Sequence, residues 1–328
     1  MINNKAPEKE RTAPRKMNIM HLKYAVEVAK TGSITQAAEN LFMGQPNLSK
    51  AIRELEENLG VTIFKRTSKG IVPTQKGEEF LVYAKRILAQ IVELESIYNK
   101  EHESKQNFSI SVPRGSYLAH AFTQFVKQID ASKETEIYYK ETNSVEAISN
   151  IVQSNYNLAV IRYRDVFEPY FARLLREKEL RSELVWQFRY VAVMSKNHSL
   201  ANKPVLTCAD LTDCIEILHN DNAVPTLPTL EAKRMENIEN SDKRIYVFER
   251  GSQYELLSQI SDTFMWVSPI PQEMLDRYGL IQRQVSDADY RYKDMLVYPR
   301  TYRLTELDNT YLDELRNVIH ALEGMEIS

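Results

Sequence analysis

Residues 33 to 59 constrain this chain more than any other segment, because they read as two short helices joined by a tight turn. Ser33 is a good N-cap and Gln36 follows three residues later, a capping-box pattern. Ala37, Ala38 and Leu41 offer a small, smooth surface that lets another helix approach closely. Met43-Gly44 marks the turn, where glycine accepts a positive φ. Pro46 falls in the first turn of the next helix, where a missing N–H is harmless. Leu48, Ile52, Leu55 and Leu59 step by four, three and four residues into a buried stripe. Gln45, Asn47, Ser49, Lys50 and Arg53 remain on the other faces; Gln and Asn pair with adenine, and Lys and Arg suit guanine or phosphate. One apolar face and one small polar and basic face are what a helix needs to pack on its own domain and enter a DNA major groove.

An ordinary helical hairpin with a solvated face is the plain alternative, and the flanks argue against it. Leu22, Ala25, Val26 and Ala29 make a third amphipathic helix ahead of the pair. Residues 61 to 74 form two apolar β-rich runs around a basic, glycine-ended loop, the pattern of a hairpin wing. Residues 17 to 77 thereby resemble the winged helix-turn-helix of the LysR-type transcriptional regulators. The resemblance is carried by Gly32-Ser33, Gln36-Ala37-Ala38, Leu41, Gln45-Pro46, Leu48-Ser49, Ile52, Leu55-Glu56, Leu59-Gly60, Phe64-Lys65-Arg66, Thr74 and Gly77. It implies phosphate or minor-groove contacts from Ser33, Thr35, Arg66, Thr67 and Lys69. It places Gln45, Pro46, Asn47, Ser49, Lys50 and Arg53 at the major groove. The family often has Ala where this chain has Asn47, so the preferred bases differ at that point.

The 328 residues allow two or three domains with proper cores. A net charge of −3 argues against a general nucleic-acid binder, but the charge is unevenly placed. Residues 1 to 106 hold 17 Lys and Arg against 13 Asp and Glu, and the remainder holds 25 against 32. A basic head on an acidic body fits docking to DNA by one end. No apolar run approaches the ~20 residues that span a bilayer, and no signal segment opens the chain, so no membrane partner and a cytoplasmic location are expected. Residues 1 to 16, with Pro7 and Pro14, read as a disordered extension, and Met17 offers a second start.

From Gly77 to about Glu103 there is no Pro and no further Gly. Phe80, Ala84, Ile87, Ile91, Leu94 and Tyr98 form a heptad seam widened by Leu81 and Leu88, with Glu78, Glu79, Lys85, Arg86, Glu93 and Glu95 outside it. A linker helix at 77–106 that pairs two chains is expected, against the alternative of a helix lying on its own domain. The resemblance implies a homodimer or homotetramer reading interrupted dyad sites in double-stranded DNA, with RNA polymerase as a further partner.

After residue 107 the pattern becomes β-α-β-α-β: strands at Phe108–Val112, Ile137–Tyr139 and Leu158–Ile161, with helices over 118–129 and 145–152. Further strands are expected near 185–193, 214–218, 244–248, 264–267 and 295–298, and a last helix over 307–322. The fold class is α + α/β: a winged helix-turn-helix at 17–76, a long linker helix, and a two-lobed α/β effector-binding domain at 107–328 resembling periplasmic binding proteins. Lobe one is expected at 107–162 and 269–328, lobe two at 163–268. The family often has a Gly-rich stretch before its second crossover, whereas this chain has Asp262 to Pro269, where Trp266 reshapes the cleft.

Ligands bind open parallel sheets at the carboxyl ends of the strands. Those ends nominate Arg114, Ser116, Asn143, Ser144, Arg162, His219, Asn220, Arg250 and Ser268 for a small anionic or polar effector. For each, an ordinary loop or surface role is the competing reading. Some family members sense oxidants through a cysteine pair; here Cys208 and Cys214 sit among apolar and helix-forming residues and read as buried structural thiols.

An enzyme is the main rival. His21, His102, His120, His198, His219 and His320 show no metal-ligand spacing, and the chain has no phosphate loop, Gly-x-Ser-x-Gly or Cys-x-x-Cys. No catalytic residue, metal or cofactor is therefore expected. A solute-binding receptor is the second rival, opposed by the helix-turn-helix head.

Overall fold

The structure, a computed structural model, describes residues 18–68, 70–98, 105–153, 156–219, 241, 243–248, 250–288 and 291–324. Lys69, Asn220, Met17, the extension at 1–16 and linker residues 99–104 lie outside these, as does the side chain of Tyr98. The chain divides into two units, Met1–Glu101 and His102–Ser328.

In the first unit, α1 (Ile19–Thr31), α2 (Ile34–Asn40) and α3 (Gln45–Leu59) precede a hairpin of β1 (Phe64–Thr67) and β2 (Gly70–Pro73), and α4 (Gln75–Tyr98) follows. Leu22, Ala25 and Val28 of α1, Ala37 and Ala38 of α2, and Leu48, Ile52 and Leu55 of α3 bury together with Ile63 and Leu81. Asn18 starts α1, its Oδ1 accepting from the Met20 N–H at 2.9 Å. Gly32 ends it in the left-handed region at φ 63°, and its carbonyl accepts from the Ile71 N–H at 2.8 Å, which ties the wing to the end of α1.

Two local expectations change. The capping box is half present: Ser33 Oγ accepts from the Gln36 N–H at 3.3 Å, while the Gln36 amide turns away to Glu39 and Asn40. The Ser33 N–H is already taken by Thr31 Oγ1 at 3.3 Å, so it offers Gln36 no donor. The left-handed residue of the turn is Phe42, at φ 52°, and not Gly44, whose φ of −71° and ψ of 134° make it the extended N-cap of α3. The turn closes α2 with N–H bonds from Phe42 to Glu39 and from Met43 to Ala38, which puts the positive φ two residues earlier.

α4 begins two residues before the expected boundary, because Thr74 Oγ1 accepts from the Gly77 N–H at 3.0 Å and so caps the first turn. The expected seam divides along α4. Phe80, Leu81 and Ala84 pack on the head's own core, whereas Ile87 and Leu94 are exposed beside Tyr83 and Val92.

The second unit contains two sheets. The first has the order β4-β3-β5-β13-β6, from β3 (Lys105–Val112), β4 (Glu134–Glu141), β5 (Leu158–Arg164), β6 (Leu180–Arg189) and β13 (Arg291–Pro299). β3 pairs in parallel with β4 and β5, and β13 runs antiparallel to β5 and β6. Helices α5 (Ser116–Val126) and α10 (Glu306–Glu323) cover one face around Tyr117, Phe125 and Tyr311. Helices α6 (Ser144–Val152) and α7 (Glu168–Glu177) cover the other around Ile148, Ile161 and Phe171. The second sheet has the order β10-β9-β11-β7-β12-β8, from β7 (Val191–Ser195), β8 (Val205–Leu206), β9 (Ile215–His219), β10 (Lys243–Val247), β11 (Thr263–Val267) and β12 (Leu280–Val285). α8 (Arg250–Gln259) and α9 (Gln272–Tyr278) pack on one of its faces through Leu257 and Leu275.

This topology corrects the lobe boundaries. The segment read as one strand near 185–193 is two strands in different sheets, with the first crossover at Tyr190 instead of after residue 162. α7 and β6 remain with lobe one because Phe167, Phe171, Leu175 and Leu180 bury against Ile161 and Val297. The second crossover lies between β12 and β13, not at residue 269, because β12 pairs with β7 and β8. Lobe one is thus 105–189 with 291–324, and lobe two is 191–288. Tyr190 stacks on Tyr292 at 3.9 Å between ring centroids, so the first crossover touches the start of β13.

Candidate functional site

α3 presents the polar face that its sequence pattern requires. Gln45, Pro46, Asn47, Lys50 and Arg53 are exposed and Ser49 is half-buried, opposite the stripe of Leu48, Ile52 and Leu55. The first turn of α3 carries no acidic residue, so nothing there repels a phosphate, and its Asn47 and Leu48 N–H groups are bonded to the Gly44 carbonyl. Lys50 lies 3.8 Å from Glu54 across one turn, an exposed pair that holds neither charge firmly. On the flanks, Ser33 is spent as the α2 cap, Thr35 and Arg66 are exposed, and Thr67 bonds the Gly70 carbonyl across the hairpin. Glu56 accepts from the Ile63 and Phe64 N–H groups at 2.7 and 3.0 Å, which fixes the wing relative to α3.

Between the two sheets of the second unit lies a cavity of about 280 Å³, at the carboxyl ends of β3, β4, β5, β9 and β11. Arg114, Ser116, Asn143, Ser144, Arg162, His219, Arg250 and Ser268 all line it. Most are already held by protein partners. Asn143 caps α6, its Oδ1 accepting from the Glu146 N–H at 2.9 Å. Ser144 Oγ donates to the Arg162 carbonyl at 2.7 Å and accepts from its N–H at 2.9 Å.

Arg162 grips Asp294 through Nε and Nη2 at 2.8 and 2.6 Å, while Nη1 donates to the Arg114 carbonyl. Tyr117 donates to the same carboxylate, and the guanidinium lies 5.0 Å from the Phe188 ring centroid. Arg250 reaches from lobe two to Glu141 of lobe one, with Nη2 also 3.1 Å from Ser116 Oγ and from Tyr254 OH. Ser116 Oγ and Tyr254 OH are 2.7 Å apart, and Arg114 Nη2 donates to the Phe248 carbonyl at 3.2 Å. These bonds join the lobes on one side of the cavity. His219 Nε2 bonds Gln253 Oε1 at 2.6 Å.

The family model for bacterial regulatory helix-turn-helix proteins of the lysR family matches residues 19–78. The regulator AlsR of Bacillus subtilis (strain 168) is 23% identical over 308 residues, covering 93% of this chain and 95% of its own. Full-length OxyR from Pseudomonas aeruginosa, in a cysteine variant, superposes with a TM-score of 0.64 at 13% identity, over 92% of this chain and 95% of that one. Full-length CbnR in complex with its target DNA gives a TM-score of 0.56 at 16% identity, over 92% of this chain and all of that one. Residues 19–78 form a helix-turn-helix of the lysR family, and the chain as a whole is similar to LysR-family transcriptional regulators.

The nominated cavity residues leave out several lining groups. Glu216, Gln253, Tyr190, Tyr292, Trp266 and Arg164 also line the cavity. Gln253 comes from a helix face and Tyr292 from the start of β13, which the carboxyl-end rule does not reach. Glu216 precedes its strand end by three residues, and nothing in its local sequence separates it from a solvated carboxylate.

The cysteines are both free, and Cys208 is half-buried where burial was expected. Cys214 is buried with Leu206, Leu211 and Phe264, and burial pushes its thiol pKa above the usual range, which suits a structural thiol. Among the described residues no group of three or more His, Cys, Asp or Glu is placed to hold a metal ion, and no helix is long and apolar enough to cross a membrane.

Proposed function

We propose that this LysR-type DNA-binding transcriptional regulator is controlled by a small anionic or polar effector bound in the cavity between its two lobes. The carrying observation is that cavity, set at the carboxyl ends of five strands and rimmed by the start of α5. Gly115 is the N-cap of α5 and supplies no side-chain bond, so the first-turn N–H groups are available to a carboxylate. Arg250 adds a cation whose bonds to Glu141 and Ser116 join the lobes, so an anion at that place competes for the same donors. Effector binding would then shift the lobe arrangement and, through linkage, the fit of paired heads to DNA.

The DNA side of the proposal rests on the exposed face of α3, with Gln45, Asn47, Ser49, Lys50 and Arg53 at the major groove and Arg66 and Thr67 on phosphate. The CbnR structure was solved with its target DNA, which supports the same use of this fold. Pairing of two copies would bury the apolar side chains left exposed on α4, Ile87, Val92 and Leu94. A tetramer, RNA polymerase contact and a cytoplasmic location accompany this reading.

The test has two arms. Fluorescence anisotropy on the DNA upstream of the chain's own gene, against scrambled DNA over a salt series, should show selective binding with a clear salt slope. A thermal-shift screen of small carboxylic acids should find a stabilising member whose effect is lost in Arg250→Ala. Equal, weak binding to both DNAs would defeat the first arm, and an undiminished shift in the variant would remove Arg250 from the site.

A further inference from the structure

Among the described residues one acidic side chain lines the cavity, and one of its oxygens is buried without a hydrogen-bond donor. Glu216 stands inside the second sheet, opposite Arg244 of β10 and Phe264 of β11 in the strand register. It is only 3% exposed, yet it lines the cavity. Among the described residues its Oε2 has no hydrogen-bond partner. Arg244 Nε is 3.7 Å away, beyond hydrogen-bond range, so its charge is felt without a donor being supplied. A buried carboxylate left in this state is costly, and a native site normally answers it with a donor.

The surroundings say which kind of donor. Phe264 and Trp266 lie two apart on β11, so they project to the same sheet face as Glu216, and Trp266 also lines the cavity. Tyr190 and Tyr292 add two further rings. A carboxylate among aromatic faces is the chemistry that recognises a compact cation, through charge and through the ring quadrupoles. Two of the cavity arginines are already committed elsewhere, Arg162 to Asp294 and Arg250 to Glu141.

We infer that the effector carries a protonated amine that docks on Glu216, in addition to the anionic group proposed above. The ligand is then a small zwitterion of amino-acid type, with its carboxylate toward the start of α5 and its ammonium toward β9. This rests on the effector reading of the cavity and narrows it. Burial pushes the Glu216 carboxyl up to about 7, against a lowering by Arg244, so an arriving cation finds a group whose ionisation it can complete.

The test uses matched acids with and without an amine: alanine against propionate, aspartate against succinate, and phenylalanine against 3-phenylpropionate. Each is titrated against the full chain at about pH 8, above the Glu216 ionisation, with thermal shift and calorimetry as readouts. In at least one pair the amino member should bind about tenfold tighter, and Glu216→Gln should remove that preference while the acid still binds. Gln keeps the shape and removes only a poorly compensated charge, so the variant should fold at least as well as wild type. If it does not fold, the preference within the pairs on wild type decides alone. Acids that bind with no amine preference, or a preference that survives Glu216→Gln, overturn this inference and leave the carboxylate reading standing. No binding by any member overturns both.

Discussion

Gly77 and Ile63 meet backbone to backbone: a Cβ on Gly77 would lie 2.0 Å from the Ile63 carbonyl oxygen. That carbonyl also accepts from the Thr74 N–H at 2.8 Å, so the first turn of α4 is seated on the residue that leads into the wing. Gly77→Ala must push α4 off this seat, and the atoms in the way are backbone. The expected loss is about 1–3 kcal/mol or more from the first unit, read as a lower midpoint in thermal melts of the full chain. An unchanged midpoint would mean that α4 shifts freely.

Glu56→Ala should strand the Ile63 and Phe64 N–H groups that its carboxylate now holds. Leaving buried or half-buried donors unmade costs about 1–3 kcal/mol. The companion readout is DNA binding, because the wing would lose its anchor to α3. Urea denaturation and anisotropy on one preparation distinguish a loss of stability from a loss of wing placement.

Lys50→Ala and Arg53→Ala should each weaken binding to specific DNA by about 1–3 kcal/mol if the side chains read base edges. Lys50 loses only a weak exposed contact to Glu54, so stability should not change. Equal losses on specific and scrambled DNA would place both residues on phosphate.

Asp294→Ala should be strongly damaging, because Asp294 holds the cavity-lining Arg162 from behind. Asp294 is fully buried and takes both arms of Arg162 and the Tyr117 hydroxyl. Its removal leaves an uncompensated buried guanidinium, worth about 3–5 kcal/mol. Replacing Arg162 and Asp294 together by apolar residues should cost less than Asp294→Ala alone, as denaturation of the full chain would show. For the same reason Arg162→Ala is expected to unsettle the fold, and it is a poor probe of effector binding.

The pH dependence follows from Glu216, whose pKa rises from an ordinary 4.5 to about 7 on burial. The folded state then holds a proton that the unfolded chain has released, so stability falls as pH rises from 4.5 to about 7 and is flat above. The contribution is on the order of 3 kcal/mol. Glu216→Gln should flatten that fall in a pH series of melting temperatures; an unaltered series would show that Glu216 is solvated or paired in solution.

Much of the head was legible because its signals are local. The four-three-four spacing of Leu48, Ile52, Leu55 and Leu59 forces one buried stripe whatever surrounds it, and the wing followed from two apolar runs around a basic loop. The turn was misread at Gly44 because glycine permits a positive φ without requiring one. Phe42 took it, since the hydrogen bonds that close α2 end there. In the body, the nominated ends of β3, β4 and β5 line the cavity, because a parallel β-α-β order fixes which end of the sheet is open.

By itself the sequence determined the helix-turn-helix, the wing, the order of the body's elements and most of the cavity's strand-end residues, since each rests on periodicity or on chain direction. Only the tertiary structure decided where the lobes divide. Leu180–Arg189 and Val191–Ser195 are separated by one residue in sequence, and the choice of sheet for each depends on partners roughly a hundred residues away, Arg291–Pro299 and Leu280–Val285. It also decided which charges are spent. Arg162 was nominated for an anion, but Asp294, distant in sequence, closes on it, and Glu216, which no local pattern singles out, is buried by the second sheet. Pairing and burial of charges are set by long-range packing, and a local pattern carries no record of them.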